Sequence, residues 1–186
     1  MERLTDVLGH FASGVAVVAA RDPGDGRAAA LAVRSFASLS LDPPLVLLCV
    51  DRTSAAWPVA ERAGRFGVSI LAEEHRTLAD RADGAHGSGM APGSDASGGA
   101  DMADRADGAH GSRGSDPADG TDWAGLLADG AVHVEGALAV LDCAVHTVHE
   151  AGDHLVVTAR VLALDARPDG RPLLSYRSDY TTGVFP

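Results

Sequence analysis

Hydroxyl side chains cluster at residues 35–40, between two apolar segments, and a further serine, Ser54, precedes a predicted helix. A turn such as 35–38 can present successive backbone N–H groups to a ligand, and a helix start offers the positive end of its dipole. Ser54 can therefore hold an anionic ligand or cap its helix, and one helix start can do both. Neither Ser13 nor Ser35 lies in a Gly-x-Ser-x-Gly elbow, so these serines indicate binding rather than nucleophilic catalysis.

Five metal-ligand side chains fall in the C-terminal part of the chain: His133, Asp142, His146, His149 and His154. His146 and His149 are three residues apart in a predicted strand, so they are expected to point to opposite faces. This spacing argues against a shared metal ion. His86 and His110 occupy identical positions in a polar repeat, where mobile imidazoles among scattered Asp residues make a poor site. No metal is therefore predicted.

The basic residues are 15 in number and all of them are Arg, because Lys is absent, as are Asn and Gln. The sequence therefore excludes a Walker A lysine, a Schiff-base lysine and an amide side chain in an oxyanion hole. Any anionic ligand must be held by Arg, His, hydroxyls or backbone N–H groups. The net charge of −11 argues against binding to nucleic acid or to an anionic membrane, both of which need a basic face.

The sequence also bears on where the protein works. No apolar run of about 18 residues predicts a transmembrane helix, and the charged first residues are unlike a signal peptide. Cys49 and Cys143 lie far apart in apolar segments and are predicted to be reduced thiols in the core. Together these features predict a cytoplasmic protein.

Residues 79–122 differ in composition from the rest of the chain. They contain no Leu, Val, Ile, Phe, Tyr or Trp, and they carry nine Asp against three Arg. Residues 79–88 recur letter for letter at 103–112, but without the apolar positions that solenoid repeats stack. Such a polar, Gly-rich segment cannot bury enough surface to offset the entropy of ordering it. We therefore predict one domain over residues 1–186, with 79–122 as a disordered insertion.

The remaining segments predict many strands and few helices. Apolar spacing over residues 4–11 predicts a short amphipathic helix, and a second helix is expected from Thr53 or Ser54 to Ala63, where Gly64 would end it. A third helix is expected to begin at Glu73. Apolar segments bounded by turn residues predict strands at 15–20, 28–33, 45–50, 66–71, 137–148, 155–164 and 173–176. This pattern favours an all-β, Greek-key-like antiparallel barrel over parallel βαβ units.

Five segments resemble the signatures of the short-chain flavin reductases: residues 11–18, 32–46, 49–54, 149–154 and 171–180. The most specific is the pattern Ser-Phe-x-Ser-x-Ser-Leu-x-Pro-Pro at 35–44. The resemblance covers nearly the whole chain except the repeat. It implies an FMN-binding split barrel, usually a homodimer with the flavin at the subunit interface.

The resemblance also implies an activity, the reduction of FMN or FAD by NADH or NADPH, with the reduced flavin commonly passed to a separate monooxygenase. A flavin needs a flat slot, donors along its ring edge and a cradle for its phosphate. The residues implied to bind flavin are Arg34, Ser35, Phe36, Ala37, Ser38, Cys49, Val50, Asp51, Ser54 and Arg81, with Arg105 of the second repeat copy as an equal alternative to Arg81. Those implied to contact nicotinamide are His154 and Tyr180. Hydride transfer requires no protein acid or base, so no catalytic side chain is predicted.

Two positions depart from the family pattern. The family commonly has Asn where Arg34 stands, and its last signature usually ends in Tyr-His, whereas Tyr180 is followed by Thr181. Arg34 could pair with flavin phosphates, stack on the ring or weaken binding, and its charge near ring N1 and C2=O would stabilise an anionic reduced flavin. A hydroxyl at 181 cannot replace an imidazole, which leaves His154 as a nicotinamide contact or as a surface residue beside a turn.

Two other functions stay open at this point. One is a flavin-binding enzyme of a biosynthetic pathway that keeps its flavin and does not act as a general reductase. The other is a non-catalytic barrel whose acidic loop recruits a partner.

Overall fold

The computed structural model describes residues 2–84, 123–127 and 131–182. Its helices are α1 (Glu2–Leu8), α2 (Trp57–Ala63) and α3 (Arg76–Gly84), and a 3₁₀ turn at Glu73–His75 leads into α3. Its strands are β1 (Ser13–Gly14), β2 (Ala16–Arg21), β3 (Ala28–Val33), β4 (Ala37–Leu41), β5 (Pro44–Asp51), β6 (Arg65–Ile70), β7 (Trp123–Leu127), β8 (Ala131–Val134), β9 (Ala139–Ala151), β10 (His154–Ala166), β11 (Leu174–Tyr176) and β12 (Asp179–Thr181).

The described strands pair antiparallel throughout. The larger sheet runs in the order β4–β5–β10–β9–β6–β2–β8–β7 with β3 attached to β2, and β1, β11 and β12 form a second sheet. The predicted class, mostly antiparallel β with few helices, is confirmed. The pairing among the described strands follows an open path from β4 to β7, so closure into a barrel stays a prediction.

Strand β2 separates two clusters of buried side chains. Every residue at 15–20 is at most 3% exposed. Because successive side chains of a strand point to opposite faces, Val18 packs in a first core with Phe66, whereas Val17 packs in a second core with Leu71. The uninterrupted apolar run in the sequence is typical of a strand buried on both faces.

Two predicted hairpins and one helix end are confirmed. Strands β2 and β3 pair across the turn that begins at Asp22, and β9 and β10 pair across a turn with Gly152 at a φ of 67°. Helix α2 ends at Gly64, which has a φ of 67° and so adopts the left-handed conformation that glycine tolerates. The helix begins at Trp57, later than the sequence predicted.

Strand β1 was missed because it has two residues and its partner lies far away in the chain. Strand β1 pairs with β11, so that Ser13 lies opposite Ser175. Strands β4, β7, β8 and β12 were not predicted either, although each pairs with the strand next to it in the chain. Their length of three to five residues carries little periodicity.

The predicted insertion at 79–122 is only partly within the described chain. Residues 79–84 continue α3, and Ala79 is completely buried in the second core, because a small apolar side chain fits between a helix and a sheet. Residues 85–122, including Arg105, lie outside the described residues.

The predicted N-terminal helix is confirmed as α1, but its apolar stripe is not buried. Leu4, Val7 and Leu8 are 61 to 64% exposed and Phe11 is 82% exposed. The helix is tied to the body where the Arg177 backbone N–H donates to the carbonyl oxygen of Gly9, at 2.8 Å. A contiguous apolar stripe of this kind is typical of an interaction surface.

Strand β8 is fastened to its neighbours by side chains. The Val134 N–H donates to Ser69 Oγ at 2.9 Å, and His133 Nε2 lies 3.0 Å from Asp142 Oδ1 in a buried pair. Gly67 allows β8 to come this close. A Cβ at position 67 would overlap the Val132 carbonyl oxygen and would lie 2.8 Å from the His133 ring.

We therefore expect Gly67→Ala to lower the free energy of unfolding by about 3 kcal/mol, since β8 cannot withdraw without breaking its contacts to Ser69 and Asp142. Chemical denaturation measures the change. Gly14→Ala is the matched control, because a Cβ at 14 meets no atom within 4 Å, and its effect should stay within about 0.5 kcal/mol. Equal effects of the two substitutions would contradict the prediction.

Candidate functional site

Strand β5 has one buried face and one half-exposed face. Val46, Leu48 and Val50 are buried in the first core, whereas Leu47 and Cys49 between them are half-buried. The strand therefore supplies the core with one set of side chains and leaves the other set accessible.

The half-exposed face of β5 continues onto β10. The register sets Cys49 opposite Val156 and Asp51 opposite His154. Directly opposed residues of an antiparallel pair share a face. We call this surface the outer face, and it consists of Leu47, Cys49, Asp51, His154, Val156 and Thr158.

The Ser35 hydroxyl ties the connection between β3 and β4 to β5. Its Oγ accepts a hydrogen bond from the Cys49 N–H at 2.8 Å and donates one to the Cys49 carbonyl oxygen at 3.1 Å. Strand β4 begins only at Ala37, which lies opposite Leu47. Ser35, which the resemblance implied to bind flavin, therefore uses its side chain to hold the chain in place.

The residues around Ser35 divide into anchored and exposed ones. The Phe36 side chain is half-buried and packs against the first core. Arg34, Ala37 and Ser38 are exposed. The connection thus rests on Ser35 and Phe36 and presents a cation and a hydroxyl to its surroundings.

The turn between β5 and α2 is built by two other predicted site residues. Asp51 Oδ1 accepts hydrogen bonds from the Thr53 N–H at 2.7 Å and from the Thr53 hydroxyl at 2.6 Å. Ser54 is buried, and its Oγ accepts from the Trp57 N–H at 3.3 Å, while Ala56 occupies the N-cap position. Both side chains therefore hold the turn in place. Ser54 was predicted as the helix cap, but the N-cap is Ala56, and Ser54 bonds the first helical N–H from two residues before the cap.

The turn between β9 and β10 packs beside the turn between β5 and α2. The Arg52 N–H donates to the Asp153 carbonyl oxygen at 3.1 Å, and the Arg52 guanidinium lies 3.4 Å from Glu150 Oε2. His154 Nδ1 lies 2.7 Å from Asp153 Oδ1, and this hydrogen bond holds the pKa of the Asp153 carboxyl below its usual range. Residues 34–38, 49–54 and 150–154 thus meet at one end of the sheet, which we call the site corner.

Three predicted site residues contribute no described side chain to the surface of the site corner. Tyr180 is buried in the second core, and its carbonyl oxygen accepts from Arg76 Nη1 at 2.7 Å. The Val50 side chain is buried in the first core, so only its backbone can face a ligand. Arg81 lies on α3, and its side chain is outside the described residues.

The cysteines are free, but they differ in environment. Cys143 lies in the first core, where burial raises the pKa of its thiol to about 12. Cys49 is half-buried on the outer face rather than in the core. Both side chains are reduced thiols, as the sequence predicted.

The described residues also bear on metal binding and on membrane insertion. Within residues 2–84, 123–127 and 131–182, no three His, Cys, Asp or Glu side chains come together as metal ligands. None of the helices in that part of the chain is long and apolar enough to cross a bilayer.

Sequence reasoning missed two features of the site corner. Thr53 binds the carboxylate of Asp51, and the spacing Asp-x-Thr, which is typical of such turns, could have revealed it. Arg52 contacts the turn at Asp153, about a hundred residues away in the chain, and no local signal indicates that contact.

Residues 8–183 match the flavin reductase-like domain family. This range includes each of the three segments that form the site corner.

Similar proteins extend this match. The reductase subunit of a flavin-dependent monooxygenase from Rhodococcus jostii is 37% identical over 184 residues, which cover 99% of this chain and 78% of the relative. A solved homologue of nitrilotriacetate monooxygenase component B from Mycobacterium thermoresistibile is 35% identical with a TM-score of 0.76, covering 97% and 84% of the two chains. The NADH:FAD oxidoreductase of Streptomyces globisporus is 26% identical with a TM-score of 0.74, covering 97% and 91%.

Proposed function

Because this chain belongs to the flavin reductase-like family, we propose that it transfers a hydride from NADH or NADPH to FMN or FAD and supplies reduced flavin to a partner monooxygenase. The observation that carries the proposal is the site corner. Three family signatures, separated by up to about a hundred residues, meet there through the Ser35–Cys49 hydrogen bonds and the pairing of Asp51 with His154. A cytoplasmic setting fits the two free cysteines.

The names of the relatives favour this function over a flavin-binding enzyme that keeps its flavin. One relative is a reductase subunit of a monooxygenase, and another is an NADH:FAD oxidoreductase. We take the finer architecture to be the FMN-binding split barrel that the resemblance implies.

The site corner suits a planar, anionic ligand. The outer face is half-exposed, and the connection at 34–36 leaves the ladder of β4 and β5, so backbone groups there can face a ring edge. Arg34 adds an exposed cation, and the chain has no lysine to do so. Hydride transfer from nicotinamide C4 to flavin N5 is the chemistry that the two rings supply when both are bound.

The side chains of the corner bind and orient. We assign flavin binding to the backbone of 34–38 and of 49–51, with Arg34 near the ring or its phosphate. His154, held by Asp153, is the candidate contact for nicotinamide, whereas Tyr180 is buried and its neighbour Thr181 offers only a hydroxyl. Arg81 is retained as a candidate phosphate ligand.

The purified chain should oxidise NADH or NADPH when FMN or FAD is present, because both rings can then meet at the site corner. Loss of nicotinamide absorbance is followed for the four pairs of nicotinamide and flavin. Absence of turnover with every pair would refute the reductase function. A retained yellow chromophore in that case would favour the alternative, a flavin-binding enzyme that keeps its flavin.

Arg34 is the residue most able to set the redox behaviour of a bound flavin. It is exposed and directly precedes the anchored Ser35. A positive charge beside N1 and C2=O favours the anionic reduced ring over the neutral oxidised ring.

We expect Arg34→Asn to lower the midpoint potential of the bound flavin by about 30 mV, equivalent to a tenfold loss in preference for the reduced form. A spectroelectrochemical titration with wild-type protein and the variant measures the shift. Arg27→Asn, an exposed arginine in the turn between β2 and β3, is the control and should leave the potential unchanged. Equal potentials for wild type and Arg34→Asn would rule out this role.

We further propose that the chain works as a homodimer. Leu39 and Leu41 of the edge strand β4 and Leu162 and Leu164 of β10 are large, apolar and exposed, with Leu41 at 93%. Leu41 lies opposite Pro44, the first residue of β5, and the next residue, Leu45, lies opposite Arg160 of β10. The four leucines therefore flank the end of the sheet at which β5 begins. A second copy would bury this surface in a self-complementary contact.

Light scattering should show a dimer for the wild type and a monomer for the double variant Leu41→Asp with Leu162→Asp, because two carboxylates cannot be buried without partners. Arg27→Asp, outside this surface, should remain a dimer. A monomeric wild type, or a dimeric double variant, would contradict the proposal.

A further inference from the structure

The register of β4 and β5 shows what the Ser35 hydroxyl replaces. Ala37 lies opposite Leu47, so continuation of the antiparallel ladder would set Ser35 opposite Cys49. The strand stops at Ala37 instead, and the Ser35 side chain makes both hydrogen bonds to Cys49. One hydroxyl therefore fills the place of a whole backbone rung.

This substitution moves the backbone without leaving Cys49 unpaired. A rung between two strands joins the N–H and C=O of one residue to those of the other. When the hydroxyl takes both bonds, the Ser35 backbone stands off from β5 by the length of its own side chain. The neighbouring Phe36 ring packs against the first core and holds the connection in this position.

We propose that Ser35 is a positioning residue: its hydroxyl stands in for a ladder rung and so turns the backbone of 34–36 away from β5, toward the edge of the flavin ring. The inference rests on the proposed function and adds to it the side chain that shapes the binding edge. The single O–H of Ser35 already donates to the Cys49 carbonyl, so in this arrangement the hydroxyl does not donate to the flavin, and Ser35 contributes its backbone instead.

The requirement is chemically specific. Position 35 needs a group that both donates and accepts at one atom, which serine and threonine have and alanine lacks. Without the hydroxyl, the Cys49 N–H and carbonyl lose their partners, and the Ser35 backbone can close onto β5 as an ordinary rung. The backbone groups of 34–36 would then pair with β5 and could no longer bind a flavin.

The test compares Ser35→Ala, Ser35→Thr and wild type for the dissociation constant of FMN and of FAD, measured by quenching of flavin fluorescence, and for the visible spectrum of the bound flavin. We expect Ser35→Ala to weaken flavin binding about tenfold or more and to shift the spectrum. Ser35→Thr should restore binding to within about threefold, since its hydroxyl can make the same pair of bonds. Ser40→Ala removes a hydroxyl from the same strand edge and should leave flavin binding unchanged.

Each outcome separates the inference from the proposed function. If the wild type binds neither flavin, the proposed function fails. If the wild type binds flavin and Ser35→Ala binds it within about twofold, the positioning role is refuted. Equal weakening in Ser35→Ala and Ser35→Thr, with melting temperatures unchanged, would also refute it, because the hydroxyl would then be irrelevant.

Discussion

The antiparallel pairing of β5 with its two neighbours, β4 and β10, is the constraint on which the site corner depends. With β10 it sets Cys49 opposite Val156 and Asp51 opposite His154, and with β4 it reaches only as far as Ala37 and Leu47. A shift of one residue in either register would exchange the core face of β5 for the outer face. The buried side of β5, with Leu48 and Val50 in the first core, prevents that shift.

Within the described residues, two serine hydroxyls bond the backbone of a strand far away in the chain. Ser35 bonds the backbone of Cys49, and Ser69 bonds the backbone of Val134. Asn and Gln, which often bridge a strand and a loop, are absent from the sequence. Serine is small and carries a donor and an acceptor at one atom, so it can replace a rung where two chain segments come close. At Ser35 the backbone leaves the regular pairing while the Cys49 N–H and carbonyl keep hydrogen-bond partners, whereas Ser69 keeps its own backbone pairing with Val17 and Val140.

The exposed apolar residues link the fold to its proposed assembly. Leucines of β4 and β10 at one end of the sheet and the stripe on α1 are large side chains without cover in the single chain. The leucine surface lies where β5 begins, and the site corner lies where β5 ends, so β4 and β5 connect the two surfaces.

The sequence by itself determined the longer strands, the hairpin turns and the family. Uninterrupted apolar runs predicted β2 and β5, turn residues predicted the hairpins, and Gly64 ended α2, because these features depend on near neighbours in the chain. Family signatures also named the three segments of the site corner. Only the tertiary structure showed that Ser35 bonds the backbone of Cys49, that Tyr180 lies in the second core and that residues 79–84 belong to a helix. The physical reason is that the register of the strands decides which distant segments form hydrogen bonds and which side chains are buried against the sheet. Packing across the whole domain sets that register, and no local pattern in the sequence does.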